Sequence, residues 1–192
     1  MAKHEARAIG EWRGVVFDVA QIDVTAASDD LLIVGMLEKD VPGRGNGGAT
    51  ELDHALHGTL SRLRAGGIFN GDFGETLMLT RPPAPIRAAS LMLIGMGASP
   101  AIAPGPAGDL TELAMRTALR IGAGSVACLL GWSELDIPAD QVAQSAAAMM
   151  HGALRAVDAH PNRARMRWTF DVRNGHADRT EEALCAALVD WR

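Results

Sequence analysis

The segment GRGNGG, Gly43–Gly48, is the densest candidate for binding chemistry in the chain. Glycine-rich backbone can turn successive N–H groups toward one point, and a helix-patterned segment follows. Gly45, Asn46, Gly47 and Gly48 could therefore cradle an anion such as a nucleotide phosphate. The spacing also fits G-x-G-x-x-G, but the dinucleotide use of that pattern needs a tight strand-to-helix turn and a later acidic residue. Here EKDVP precedes the glycines, and the next strand-like stretch ends in Thr80–Arg81. No Lys-Ser or Lys-Thr pair follows, which excludes a P-loop. The plainer alternative is a linker before a helix.

His54 and His57, beside Glu51 and Asp53, have a spacing at which two imidazoles and a carboxylate can bind zinc. There is no HExxH pattern and no fourth ligand, so they read as solvated residues on an outer helix face. His151 and His160 read as structural, and Met149–Met150 as core filler. Ser125 and Ser133 lie outside any G-x-S-x-G context. Cys128 and Cys185 sit far apart in apolar surroundings and read as two unpaired thiols. Arg163, Arg165 and Arg167 alternate along one strand face. They read either as charge protecting an edge strand or as a phosphate-contacting patch.

The 192 residues suffice for one compact domain, taken as residues 1–192. A net charge of −5 and only 4% aromatic residues argue against a general nucleic-acid surface. The amino-terminal MAKHEARAIGEWRG is not a secretory signal, and no apolar run reaches membrane-span length. A cytoplasmic protein is expected.

Apolar patterning gives the elements that must position these residues. Strands are expected at Gly14–Val24, Asp30–Leu37, Gly74–Thr80, Ala88–Gly97, Ser125–Trp132 and Ala164–Val172. Leu52, Leu56, Leu60 and Leu63 define one face of a helix over Thr50–Ala65, with Thr50 as its N-cap. Gly97–Gly108 reads as a loop, followed by a helix opened by a capping box of Asp109 and Glu112. Further helices span Pro138–Val157 and Asp178–Asp190. RPPAPIR is too short and too rich in proline for a crossover, so the strands beside it pair antiparallel. The order predicts an α/β fold: a mixed, mostly parallel sheet between two helix layers.

The run DLLIVGMLE, then ELDHALHGTLSRLRAGGIFNGDFGETLMLTRPP, then AASLMLIGMG, resembles the N-terminal domain of the leucyl (cytosol) aminopeptidase family. Leu52, Asp53, Ala55, Leu56, Phe69, Gly71, Gly74, Glu75, Thr76, Gly95 and Gly97 carry the resemblance, and AMRTALRIGAGSVACLL and QSAAAMMHGALRA extend it. It implies a macrodomain-like, three-layer α/β/α fold. In that family the two-metal peptidase site lies in a separate C-terminal domain containing NTDAEGR. Nothing here matches that word, so no catalytic residue, metal ligand or cofactor is carried over.

The chain is therefore read as a non-catalytic, stand-alone relative of the N-terminal domain. In the full-length enzymes that domain helps organise a hexamer, so a homo-oligomer or a protein partner is expected. The kinship with macrodomains implies an alternative: binding of ADP-ribose or a related nucleotide through Gly43–Gly48. GASPAIAPGPAG would be the second wall, and Asp30 or Asp40 would face the adenine. The macrodomain word NAAN is replaced by GMLEKD. DNA binding, known among bacterial members of the family, is disfavoured by the acidic balance.

Overall fold

The computed structural model describes residues 6–38, 48–98, 103–130, 139–172 and 176–192. Among these, seven strands form one sheet: β1 (Arg7–Trp12), β2 (Val15–Ala20), β3 (Leu31–Met36), β4 (Thr76–Thr80), β5 (Ser90–Gly95), β6 (Ser125–Leu129) and β7 (Met166–Asp171). Their spatial order is β1-β2-β7-β6-β3-β5-β4. The five inner strands are mutually parallel, and the edge strands β1 and β4 are antiparallel to their neighbours.

The helices are α1 (Gly48–Ala55), α2 (Thr59–Ala65), α3 (Pro104–Ile121), α4 (Ala139–Ala159) and α5 (Ala177–Asp190). Every residue of β3, LLIVGM, is buried, as expected for a strand covered on both faces. One core joins inward residues of β2, β3, β6 and β7 to α3, α4 and α5. The second joins Leu32, Val34, Leu91, Leu93 and Leu129 to Leu52, Leu56 and Leu60 of the α1–α2 region. This is the expected α/β sandwich.

Several elements differ from the sequence expectation. The first strand is preceded by β1, with Arg13 (φ 48°) and Gly14 (φ 88°) turning the chain between β1 and β2. The helix expected over Thr50–Ala65 is two helices, broken where His57 (φ 54°) and Gly58 (φ 74°) enter left-handed geometry. Thr50 lies inside α1 and is not its N-cap. Asp53 serves the break instead, since Leu60 N–H and Ser61 N–H donate to its Oδ1 at 2.7 and 3.2 Å. The helix expected to open at Asp109 starts at Pro104, because proline is tolerated in a first helical turn. Asp109 and Glu112 therefore lie within α3, where both pair with Arg155 of α4.

The edge-strand reading of the arginine segment is also overturned. β7 sits between β2 and β6, hydrogen-bonded on both sides. Its alternation has another cause: the apolar cluster under α1 and α2 includes residues of β3, β4, β5 and β6 but none of β2 or β7. On that half of the sheet Asp18, Arg167 and Thr169 stand side by side, and Arg167 donates to Asp18 at 2.7 Å.

The two chain ends described are tied together at Asp158. Trp12 Nε1 and Trp191 Nε1 donate to its two carboxylate oxygens at 2.8 and 2.9 Å. Burial works to raise this carboxyl, but the indole donors and Arg13 outweigh it and hold it below the ordinary value of 3.8. With the folded value depressed, the stabilisation is present above 3.8 and is lost as pH falls through the lower folded value. Asp158→Asn should cost about 1 kcal/mol at neutral pH, the partial exposure of the site limiting the effect. Urea unfolding across pH should show the difference between variant and wild type closing on acidification.

Candidate functional site

The parallel strands place their carboxyl ends on one edge of the sheet, which is where open α/β sheets present ligand and partner sites. At the β3–β5 end this edge is closed by the segment Phe69–Glu75, and three chain segments interlock there. Gly97 N–H donates to Gly71 O at 2.9 Å, Glu38 N–H to Gly97 O at 2.9 Å, and Met96 N–H to Met36 O at 2.8 Å. Arg64 Nη2 donates to Leu37 O at 2.6 Å. Glu75 Oε2 accepts the backbone N–H groups of Asn70, Gly71 and Asp72 at 2.8, 2.8 and 3.2 Å. Phe69 is the buried plug beneath the segment.

Glycine is required at this junction for lack of space. A β-carbon on Gly95 would lie 1.9 Å from Asp72 O, and one on Gly71, whose φ is 85°, would lie 2.8 Å from Leu37 O. The result is a braced loop that turns two large apolar side chains outward. Ile68 is 63% exposed and Phe73 is 52% exposed. Buried apolar side chains are unremarkable, whereas an aromatic ring held out by a rigid loop is a candidate anchor for a partner.

Of the anion-loop candidates, Gly45, Asn46 and Gly47 lie outside the described residues. Gly48 is the first residue of α1 and is buried against β6. A β-carbon there would meet Leu129 and Val24 at 3.4 and 3.6 Å, ordinary contact distances, so packing does not itself demand glycine. Asp40 also lies outside the described residues. Asp30 is engaged at the opposite end of the strands, where its Oδ2 accepts from Gly124 N–H and Ser125 N–H at 2.8 and 3.1 Å.

His54 and His57 are exposed. Among the described residues, no group of three or more His, Cys, Asp or Glu is arranged to hold a metal ion. Cys128 and Cys185 are free thiols, and burial pushes both upward from the ordinary thiol range. Arg163, Arg165 and Arg167 line a groove of about 770 Å³ with Glu11 and Gly14. Arg163 pairs with Glu11 at 3.1 Å and Arg167 with Asp18 at 2.7 Å, so most of the groove's charge is balanced internally.

The sequence model of the cytosol aminopeptidase family, N-terminal domain, matches residues 33–157, and this span contains the whole interlocked junction. The chain belongs to the cytosol aminopeptidase family. A probable cytosol aminopeptidase of Ralstonia pickettii (strain 12J) is 32% identical over 127 residues, taking in 64% of this chain and 23% of that protein. A tomato leucine aminopeptidase variant superposes over 90% of this chain and 35% of its own, with a TM-score of 0.68 at 21% identity. The chain thus spans about a quarter to a third of the aminopeptidases it matches.

The fold is also macrodomain-like. A Trypanosoma brucei macrodomain in complex with ADP-ribose superposes with a TM-score of 0.63 at 15% identity, over 93% of this chain and 74% of that one. The family residues quoted from the sequence now have physical roles. Phe69 is the plug, Gly71 and Gly95 are the close approaches, and Glu75 is the acceptor that holds the loop. Sequence reasoning found these positions by resemblance but not the outward Phe73 and Ile68. Their signal was there: apolar residues beside Asn, Gly and Asp, outside any helical or strand period.

Proposed function

We propose that this chain acts as a protein-assembly domain of the cytosol aminopeptidase type, contributing contacts between subunits rather than peptide-bond chemistry. The carrying observation is the braced Phe69–Glu75 loop with Ile68 and Phe73 turned to solvent. Apolar anchors on a rigid support lose little conformational entropy on docking, which is what makes aromatic anchors effective. The matched family model is that of the N-terminal domain, which favours a role in contacts over one in peptide-bond chemistry. Both cysteines are free thiols, consistent with work in a reducing, cytoplasmic setting. Phe73→Asp should weaken self-association about tenfold or more without loss of fold, because its side chain is half exposed. Light scattering over a dilution series measures this. An unchanged association constant would remove the Phe73 surface from the reading.

A second reading keeps the nucleotide alternative: ADP-ribose or a related ligand bound through Gly45, Asn46, Gly47 and Gly48. Its support is the set of parallel strand ends on one edge together with the likeness in fold to a macrodomain in complex with ADP-ribose. Calorimetric titration with ADP-ribose tests it. Saturable heat supports it, and none at millimolar ligand removes it.

A further inference from the structure

The two edges of the sheet are built differently. β1 carries Arg7 and Glu11 and a bulge between Ala8 and Gly10, all of which discourage another strand from pairing with it. β4, at the opposite edge, reads TLMLT, with no charge, proline or glycine and an unbroken register against β5. Among the described residues no strand pairs with its outer side.

The ladder fixes which groups face outward. Arg81 N–H donates to Ala89 O at 3.0 Å, and Gly95 N–H donates to Glu75 O at 2.8 Å. In an antiparallel pair such positions alternate, so Glu75, Leu77, Leu79 and Arg81 turn their backbone groups toward β5. Thr76, Met78 and Thr80 turn theirs to the open edge.

The strand is also a palindrome. An antiparallel copy centred on Met78 sets Met78 against the partner's Met78, Thr76 against the partner's Thr80, and Leu77 against the partner's Leu79. The outward-facing positions then coincide, giving about six interchain hydrogen bonds. Leu77 and Leu79, which lie over the α1–α2 core, meet across the axis as apolar pairs on one face. The same register sets Glu75, whose carboxylate is held by its own loop, opposite the partner's Arg81, so no like charges face each other at the ends of the pairing.

We infer that a second copy of this chain pairs with β4 about a two-fold axis at Met78, joining two sheets into one. The inference rests on the assembly reading above and names its partner and geometry.

The test uses the full chain with Cys185→Ser, since Cys128 is buried. In this pairing the two Met78 Cα atoms lie about 5.5 Å apart, within reach of a disulfide. The two Thr76 Cα atoms lie about 14 Å apart, out of reach. Met78→Cys should therefore form a covalent dimer on mild oxidation, and Thr76→Cys should not. Thr76→Lys with Thr80→Lys places like charges opposite each other at two exposed positions, and should weaken association about tenfold or more. Circular dichroism checks that the variant is folded.

Association of the unmodified chain that is insensitive to the double lysine change, with Thr76→Cys crosslinking as readily as Met78→Cys, would overturn the β4 pairing and leave the assembly reading standing. A chain that stays monomeric and yields no crosslink from Met78→Cys would overturn both.

Discussion

Gly152→Ala is expected to cost about 3–5 kcal/mol of folding stability, a large share of the roughly 5–15 kcal/mol that holds a domain together. The cause is the crossing of α3 and α4. A β-carbon on Gly152 would lie 2.0 Å from Gly108 O and 2.9 Å from Gly108 C, both backbone atoms that cannot rotate away. On the other side, a β-carbon on Gly108 would lie 2.7 Å from Ala148 O. Helix propensity favours alanine by about 1 kcal/mol, so the steric term must exceed that gain, and a gap of 2.0 Å ensures it. The helices would have to separate by more than an ångström, loosening the core around Ala114, Ala118, Met149 and Met150. Gly105→Ala is the control, since a β-carbon there meets nothing within 4 Å. Thermal unfolding should show a fall of about 6–20 °C for the first variant and no fall for the second. Equal behaviour of the two would mean that α3 and α4 do not cross at this distance.

The second large effect is expected at Glu75. Alanine removes the acceptor of three backbone N–H groups, of which Gly71 is buried against the end of β3. Hydrogen bonds to a charged acceptor are worth about 1.5–3 kcal/mol each when shielded. Asn70 and Asp72 are exposed and regain water, so a total loss of about 2–4 kcal/mol is expected rather than three full terms. Glu75→Gln keeps one oxygen at the same reach and should recover about half of the loss. Because the loop carries Phe73 and follows Ile68 directly, Glu75→Ala should also weaken self-association, while Glu75→Gln leaves it closer to wild type. Urea unfolding and hydrogen exchange at Gly71 would report the two effects separately. Unchanged protection of Gly71 in the alanine variant would contradict the assigned role.

The sequence was most informative where one physical requirement acted alone. The unbroken apolar run of β3 demanded burial on both faces, and the structure provides it. Leu52, Leu56 and Leu60 were placed on a common buried face although the helix carrying them breaks at His57–Gly58. The break shows in sequence only as a glycine amid helical spacing, which a continuous helix can also tolerate at modest cost.

β1 was missed because Arg7, Gly10 and Glu11 interrupt the alternation that marks a strand, and those same residues protect it as an edge. β7 shows the converse. Its alternation reported one polar face, and one strand cannot tell a sheet edge from a sheet face that carries polar residues beside an apolar one. Asp109 and Glu112 looked like a capping pattern but bridge two helices, a long-range pairing that local spacing does not encode. For the site, the Phe69–Glu75 loop was legible through its glycines and Glu75, but the outward turn of Phe73 was not, because the loop is folded against Gly97 and the end of β3, distant in sequence.

Sedimentation velocity of the unmodified chain over a broad concentration range tests the assembly claim most directly. A species of at least twice the 20.2 kDa chain mass that dissociates on dilution is expected. A single species of 20.2 kDa at every concentration would contradict it.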